Sequence, residues 1–398
     1  MTKEKKVMIS ISSCICILEL FYETFFNIYI LQEVTTNVAL IFAYYMAGIA
    51  IAIVLYYPFF KLINGKTALW IYRTSFVMSL ALIVLSMTVN SAFAFSLIFI
   101  NAFKYLYQMC FYCTQEIATM KHVDKNESGN FLAAKVVANT MVKVTFSLVI
   151  SSIFEFANIF WIFLLLIAIV ILMFILSFGL KTMGADFKFR PLGYWRDTKQ
   201  YPHMKYIYFC QGLKRMSEAG VVQTIIPIML YTSMGSEFSV GIYSTIACVA
   251  VVCWLPLFVK LKKYKTPILF SSISILIASS VILVIHSSAV TYVIYYLINQ
   301  LASASFTNAQ NASLFDSIKY PVLCDNKEEH CYIYGLFGKT SEMISYGIGI
   351  LFYVLLPLEY SLPAILIFFM IIKFISLLLL QKSDSLTKDI QDKQIIHI

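Results

Sequence analysis

Long apolar runs separated by short polar breaks fill most of the chain. Twelve of them, at 7–31, 38–60, 67–88, 92–114, 131–153, 157–180, 204–231, 238–259, 267–285, 289–312, 333–357 and 361–380, stand out. Each is close to the ~20 residues that a helix needs to cross a ~30 Å hydrocarbon layer. The pattern predicts twelve transmembrane helices. The first run is not a signal peptide, because it is about twice as long as a signal h-region and carries Glu19 and Glu23 in place of a small-residue cleavage site.

Composition agrees. Of 398 residues, 60% are apolar and 13% charged, with 33 Phe and 26 Tyr, and the mean hydropathy is +0.80. An ordinary soluble domain has about a quarter of its residues charged, so a soluble enzyme, a disordered tail and a disulfide scaffold are all excluded. The net charge of +9 is distributed unevenly. One set of alternate connections, from Lys3, Lys5 and Lys6 through Lys260, Lys262, Lys263 and Lys265 to Lys388 and Lys393, carries 22 Lys and Arg. The opposite connections, around 32–37, 89–91, 154–156, 232–237, 286–288 and 358–360, carry none. Positive charge is retained on the cytoplasmic side, which predicts a multi-pass protein of the cell membrane with both termini cytoplasmic. Membrane lipid accounts for the basic excess, and no nucleic-acid partner is expected.

The polar stretch 181–203 divides the chain into an N-terminal six-helix bundle (1–180) and a C-terminal one (204–381), with a cytoplasmic tail at 382–398. Faint echoes relate the halves. Glu23 recurs as Glu218, Lys61-Leu62 to Lys66-Thr67 recurs as Lys260-Leu261 to Lys265-Thr266, and Lys135 recurs as Lys339, at offsets near 200 residues. The six-plus-six arrangement, the basic loop after helix two repeated after helix eight and the long central loop together resemble the major facilitator superfamily of secondary transporters. Its loop signature, G-x-x-x-D-R-x-G-R-R, aligns with Pro58, Leu62, Ile63, Gly65, Lys66 and Thr67, keeping Gly65 and the basic Lys66 as a gating loop without the acid. The Gly series of the family's antiporters is absent from helix five. The resemblance implies an all-α integral membrane fold of two pseudo-symmetric bundles, with helices one, four, seven and ten lining a central cavity.

A charge at the centre of a spanning helix costs about 2.5–3.5 kcal/mol on insertion scales, so intramembrane charges mark function. At 1.5 Å per residue, Glu19, Lys104, Lys143, Lys214, Arg215 and Glu218 share one layer, with Glu23 a turn beyond. Glu19 and Glu23 stand at i and i+4 on one face, as do Lys214 and Glu218. Asn101 and Gln108, Asn139, Gln211 and Gln223, and Asn299, Gln300, Asn308 and Asn311 extend the polar surface. From these the substrate and proton site is expected to comprise Glu19, Glu23, Asn101, Lys104, Gln108, Lys143, Gln211, Lys214, Arg215, Glu218, Asn299 and Gln300. Lys135, Lys339 and Glu342 are expected shallower, as snorkelling or gate residues, and Arg73 and Lys373 stay unassigned.

Two carboxylates sharing a dry face suit a proton carrier, with a Lys or Arg pairing with whichever acid is empty. The reading is a secondary transporter of a small solute, working by alternating access and coupled to protons, with export of a cationic or amphipathic compound. The alternatives are transport of an anionic metabolite, and a membrane sensor or immunity-type protein that keeps the fold without moving anything. No nucleophile and base pair stands at catalytic spacing, so an enzyme is not expected. The G-x-x-x-x-G-K-[ST] loop is missing, so no ATP binding is expected in this chain. The nine Cys lie mostly in apolar runs, Cys110 and Cys113 have C-x-x-C spacing without a second pair, and Cys324, Asp325, His330 and Cys331 share the loop between helices ten and eleven, where a metal site is the alternative; no metal, no cofactor and a monomer are expected.

Overall fold

The structure, a computed structural model, describes residues 3–63, 67–122, 128–181, 202–261, 264–286, 288–318 and 327–395. Gly65, Lys66, nearly all of the central linker, Cys324 and Asp325 lie outside the described residues.

Twelve helical spans follow one another: α1 (Lys3–Glu33), α2 (Val38–Lys61), α3 (Ala68–Met87), α4 (Ser96–His122), α5 (Ser128–Phe156), α6 (Phe160–Ser177), α7a (Pro202–Glu218) with α7b (Val221–Met234), α8 (Glu237–Lys260), α9 (Lys265–Ile285), α10 (Ala289–Ile318), α11 (Lys327–Leu355) and α12 (Leu358–Ile395). Each expected run contains one span. The last helix continues beyond the expected end at 380 as far as Ile395. The fully described connections are short, and polar residues cap some helix starts. The Asn37 side chain accepts from Leu40 N at the start of α2, replacing a bond that a helix terminus otherwise lacks.

Among the described residues eight spans are long and apolar enough to cross a membrane: α1, α2, α3, α5, α6, α8, α9 and α12. Falling outside that group are α4, α7, α10 and α11, which hold most of the buried amide, histidine and charged side chains. An apolar helix can face lipid on any side, whereas a polar one needs protein or water to cover its polar face. The exposed faces of α3, α6 and α9 accordingly carry Trp70, Val77, Val84, Trp161, Ile171, Ile275 and Ile282.

Helix packing repeats between the halves. In the first, α1 packs on α5 and α6, α2 on α4, and α3 on α4 and α6. In the second, α7a packs on α11 and α12, α8 on α10, and α9 on α10 and α12, the same set advanced by six. The halves meet along α2 with α11, α5 with α8, and α1 with α7b. The result is two pseudo-symmetric six-helix bundles side by side.

Two spans are irregular at equivalent places. In α1 a π-turn occupies Phe21–Phe25 around Glu23. Asn27 Nδ2 donates to the Glu23 carbonyl at 2.9 Å, and Tyr45 Oη donates to Asn27 Oδ1 at 2.6 Å, so the widened turn is bonded internally. In α7 the helix breaks at Gly220, whose φ of 60° favours glycine. A Cβ there would meet Ser345 Oγ at 2.1 Å. The apolar run 204–231 predicts one continuous helix; the break corrects this, and it follows Glu218, the residue that echoes Glu23.

Candidate functional site

Between the halves lies a cavity of about 540 Å³, within the size range of small-molecule sites. Eleven of the twelve expected residues line it: Glu19, Glu23, Lys104, Gln108, Lys143, Gln211, Lys214, Arg215, Glu218, Asn299 and Gln300. Asn101 does not. It donates to Leu97 O at 2.8 Å, one turn back on its own helix, and packs where α4 crosses Gly48 of α2, so close that a Cβ on Gly48 would stand 2.6 Å from Asn101 Cβ. It is a packing residue. Asn139 is also turned away, bonded to Ser12 and Ser13 of α1. Gln223 lines the cavity as expected.

Lining side chains come from α1, α4, α7 and α10, as the resemblance implied, and also from α2, α5, α8 and α11. On α11, Lys339 and Glu342 are cavity residues and not the shallow, snorkelling groups expected from their position near the helix start. Lys339 Nζ donates to both Glu342 carboxylate oxygens at 3.1 and 2.9 Å and to Gln108 Oε1 at 3.1 Å. Arg215 Nη1 stands 3.6 Å from Glu342. Gln108 also donates to Glu19 at 3.4 Å, and Tyr112 Oη donates to the same Glu19 oxygen at 2.5 Å. A continuous polar chain thus runs from Tyr112 and Glu19 through Gln108 to Lys339, Glu342 and Arg215, and Gln108 joins one half to the other.

A second cluster lies inside the C-terminal half. Lys373 on α12, fully buried, reaches Glu218 at 2.9 Å and donates to Ser303 Oγ at 2.6 Å. The expected Lys214–Glu218 pair is present at the longer distance of 3.9 Å, so Lys373 is the nearer partner. Spacing along one helix could reveal only the i and i+4 pair; the pairing with α12 depends on helix packing.

Three charged groups on the cavity wall stand apart. Glu23, Lys104 and Lys143 make no side-chain hydrogen bond and no ion pair among the described residues. Lys104 is 6% exposed, and its ammonium faces the rings of Tyr45 at 5.9 Å and Tyr105 at 5.3 Å. Asn299 Oδ1 is likewise buried without a partner. The aromatic residues of α1 do not form a cage. Phe21, Tyr22, Phe25 and Phe26 pack inside the N-terminal half, where Tyr22 Oη bonds Ser86 at 3.0 Å and Phe21 meets the ring of Phe163 at 5.6 Å.

At the end of the bundle away from the chain termini the halves are hydrogen-bonded to each other. There Gln32 donates to Tyr231 Oη at 2.6 Å and to Glu237, closing α1 against α7b and α8. Glu155 accepts from Ser236 Oγ at 3.0 Å and Phe238 N at 3.2 Å, Ser147 Oγ donates to Gly241 O at 3.1 Å, and Thr245 Oγ1 donates to Val144 O at 3.3 Å. A Cβ on Gly241 would come within 2.0 Å of Ser151 Oγ, so glycine sets how closely α5 and α8 approach. The hydrogen bonds that join Val144, Ser147 and Glu155 of α5 to Thr245, Gly241 and Phe238 of α8 all lie at this end. At the terminal end the halves touch along α2 and α11, where Tyr332 stacks on Tyr56 at 5.1 Å and packs on Phe60 at 4.6 Å.

Solved structures share this arrangement. A bacterial homologue of the iron transporter ferroportin, in its outward-facing state with soaked iron, superposes with a TM-score of 0.64 at 12% identity, covering 96% of this chain and 99% of that one. The nucleoside transporter NupG gives 0.64 at 13% identity over 96% and 99%, and a bacterial metal transporter gives 0.60 at 11% over 96% and 98%. This chain has the twelve-helix transporter fold. No family model matches the sequence, and no curated protein matches it. Among the described residues no group of three or more His, Cys, Asp or Glu could hold a metal ion.

Proposed function

We propose that the protein is a secondary transporter of the major facilitator type, moving a small polar solute across the cell membrane by alternating access of its two halves. The observation that carries this reading is the position of the charged cavity. It lies between two pseudo-symmetric bundles, beside a π-turn in α1 and a break in α7, and the halves are hydrogen-bonded to each other at one end. Irregular helices near the midplane are where transporters of this architecture hold their solutes. Rocking the bundles about the cavity would exchange the α5–α8 hydrogen bonds for contacts at the terminal end.

Proton coupling is assigned to Glu19 and Glu23. Glu19 is held by neutral donors, Tyr112 and Gln108, which accommodate either the carboxylate or its protonated form, and Glu23 is unpaired beside it on the same wall. Protonation of Glu19 would weaken its bond from Gln108, and through Gln108 the tie to Lys339 in the other half. The test is counterflow of labelled cationic, anionic and sugar-like solutes into vesicles of the reconstituted protein, with proton movement followed alongside. Solute-dependent proton movement that is lost in Glu19→Gln or Glu23→Gln supports the reading. Counterflow that ignores pH and both substitutions removes the proton role, and absence of counterflow for every solute favours a non-transporting sensor.

A further inference from the structure

Buried charge in the cavity is balanced differently in the two halves. In the C-terminal half two carboxylates serve four cations: Glu218 with Lys214 and Lys373, and Glu342 with Arg215 and Lys339. That cluster carries a positive excess. In the N-terminal half Lys104 is buried on the cavity wall with no carboxylate within ion-pair distance, and aromatic faces are its cationic contacts. The ring of Tyr105 also receives Lys339 at 4.6 Å, so ammonium groups from both halves converge on one aromatic side chain. Lys143 on the same wall makes no ion pair at contact distance among the described residues and interacts electrostatically with Glu19 and Glu23. A desolvated cation without an anion beside it is costly, and a ring quadrupole returns only part of that cost. Glu23 on the same wall is beyond ion-pair distance of Lys104 among the described residues, so the place beside the ammonium is open to an anion from outside the chain.

We propose that the cavity takes a solute bearing a carboxylate or phosphate group, whose negative charge is bound by Lys104 at the junction of the halves. The remainder of the solute lies toward Glu23 and Asn299, an unpaired acid and an unpaired amide oxygen that together accept hydrogen bonds from hydroxyl or amino groups. The fitting class is therefore a hydroxy acid, an amino acid or a small phosphate monoester. This rests on the transport reading for its biological sense and turns that reading toward its anionic alternative and away from a cationic solute. Because Lys104 and Lys339 share Tyr105, the bound anion would also draw the halves together across the α4–α11 contact.

The test is calorimetric titration of the purified full chain with lactate, glutamate, glycerol 3-phosphate and inorganic phosphate, against lactamide and choline. These run alongside Lys104→Gln, Lys104→Arg and the remote control Lys260→Gln. The expected result is binding of at least one anion at millimolar or lower concentration, with lactamide and choline silent. Lys104→Gln then weakens that anion by roughly 10- to 100-fold, Lys104→Arg retains it and Lys260→Gln is neutral. Silence of all four anions, equal binding of lactate and lactamide, preference for choline, or an anion indifferent to Lys104→Gln each overturns the proposal. Should Lys104→Gln fail to fold, the comparison of lactate with lactamide on the unaltered protein still decides. Counterflow separates this inference from the broader reading. An anion that binds without counterflow removes transport and leaves the site; counterflow of choline, untouched by Lys104→Gln, removes the site and leaves transport.

Discussion

The two halves share a packing plan and differ in how they treat charge. In the C-terminal half every cavity carboxylate is met by Lys or Arg, through Lys214, Glu218 and Lys373 in one cluster and Arg215, Lys339 and Glu342 in the other. In the N-terminal half Glu19 accepts hydrogen bonds from neutral donors, and among the described residues Glu23, Lys104 and Lys143 make no ion pair, Lys104 facing only aromatic rings. The same fold thus builds a self-satisfied partner and an unsatisfied one. A closed network holds helices in register, whereas open charges can be completed by a proton or a solute. The proposed anion contact therefore lies on the N-terminal wall, with Asn299 of α10 the contact proposed from the C-terminal half.

That contrast can be broken most sharply at Lys373. Lys373→Met leaves Glu218 with only the distant Lys214 and is expected to cost about 3 kcal/mol, seen as a lowered melting temperature in detergent, with Glu218→Gln added on top restoring part of the loss. Glu342→Gln releases Arg215 and Lys339 together, and a loss of about 2 kcal/mol is expected by the same measurement. Gln108→Leu cuts the link between halves and should cost about 1 kcal/mol while changing solute affinity as well. Lys104→Gln removes a cation that has no counter-ion, so the solute-free protein should melt within ~0.5 kcal/mol of the parent or above it. A large destabilisation there would mean that the N-terminal charges are as structural as the C-terminal ones.

Much of this was legible in the chain. Twelve apolar runs mark twelve spans because the bilayer fixes their length, and intramembrane charge is expensive enough to point at the cavity from residue type and depth alone. Eleven of the residues singled out that way line the cavity. Asn101 misled because its depth is right and its direction is wrong, and an Asn that bonds back to its own helix at Leu97 looks the same in sequence as one facing a cavity. Lys339, Glu342 and Tyr112 were missed as cavity residues for the converse reason. The partners of Lys339 on α4 and of Lys373 on α7a exist only once helices are packed, and apolar periodicity carries no record of which helices meet. The π-turn at Glu23 had no local signal, whereas Gly220 after Ser217, Glu218 and Ala219 was a readable sign of the break in α7.

The central claim is that one cavity opens in turn to both sides of the membrane. Cys248 lies on its wall and is a free thiol, so a variant retaining Cys248 and lacking the other Cys can report access directly. In oriented vesicles, a membrane-impermeant maleimide applied to one face or the other is predicted to label Cys248 from both, with labelling slowed from both by a bound solute. Labelling from one face only, unchanged by any solute, would contradict alternating access.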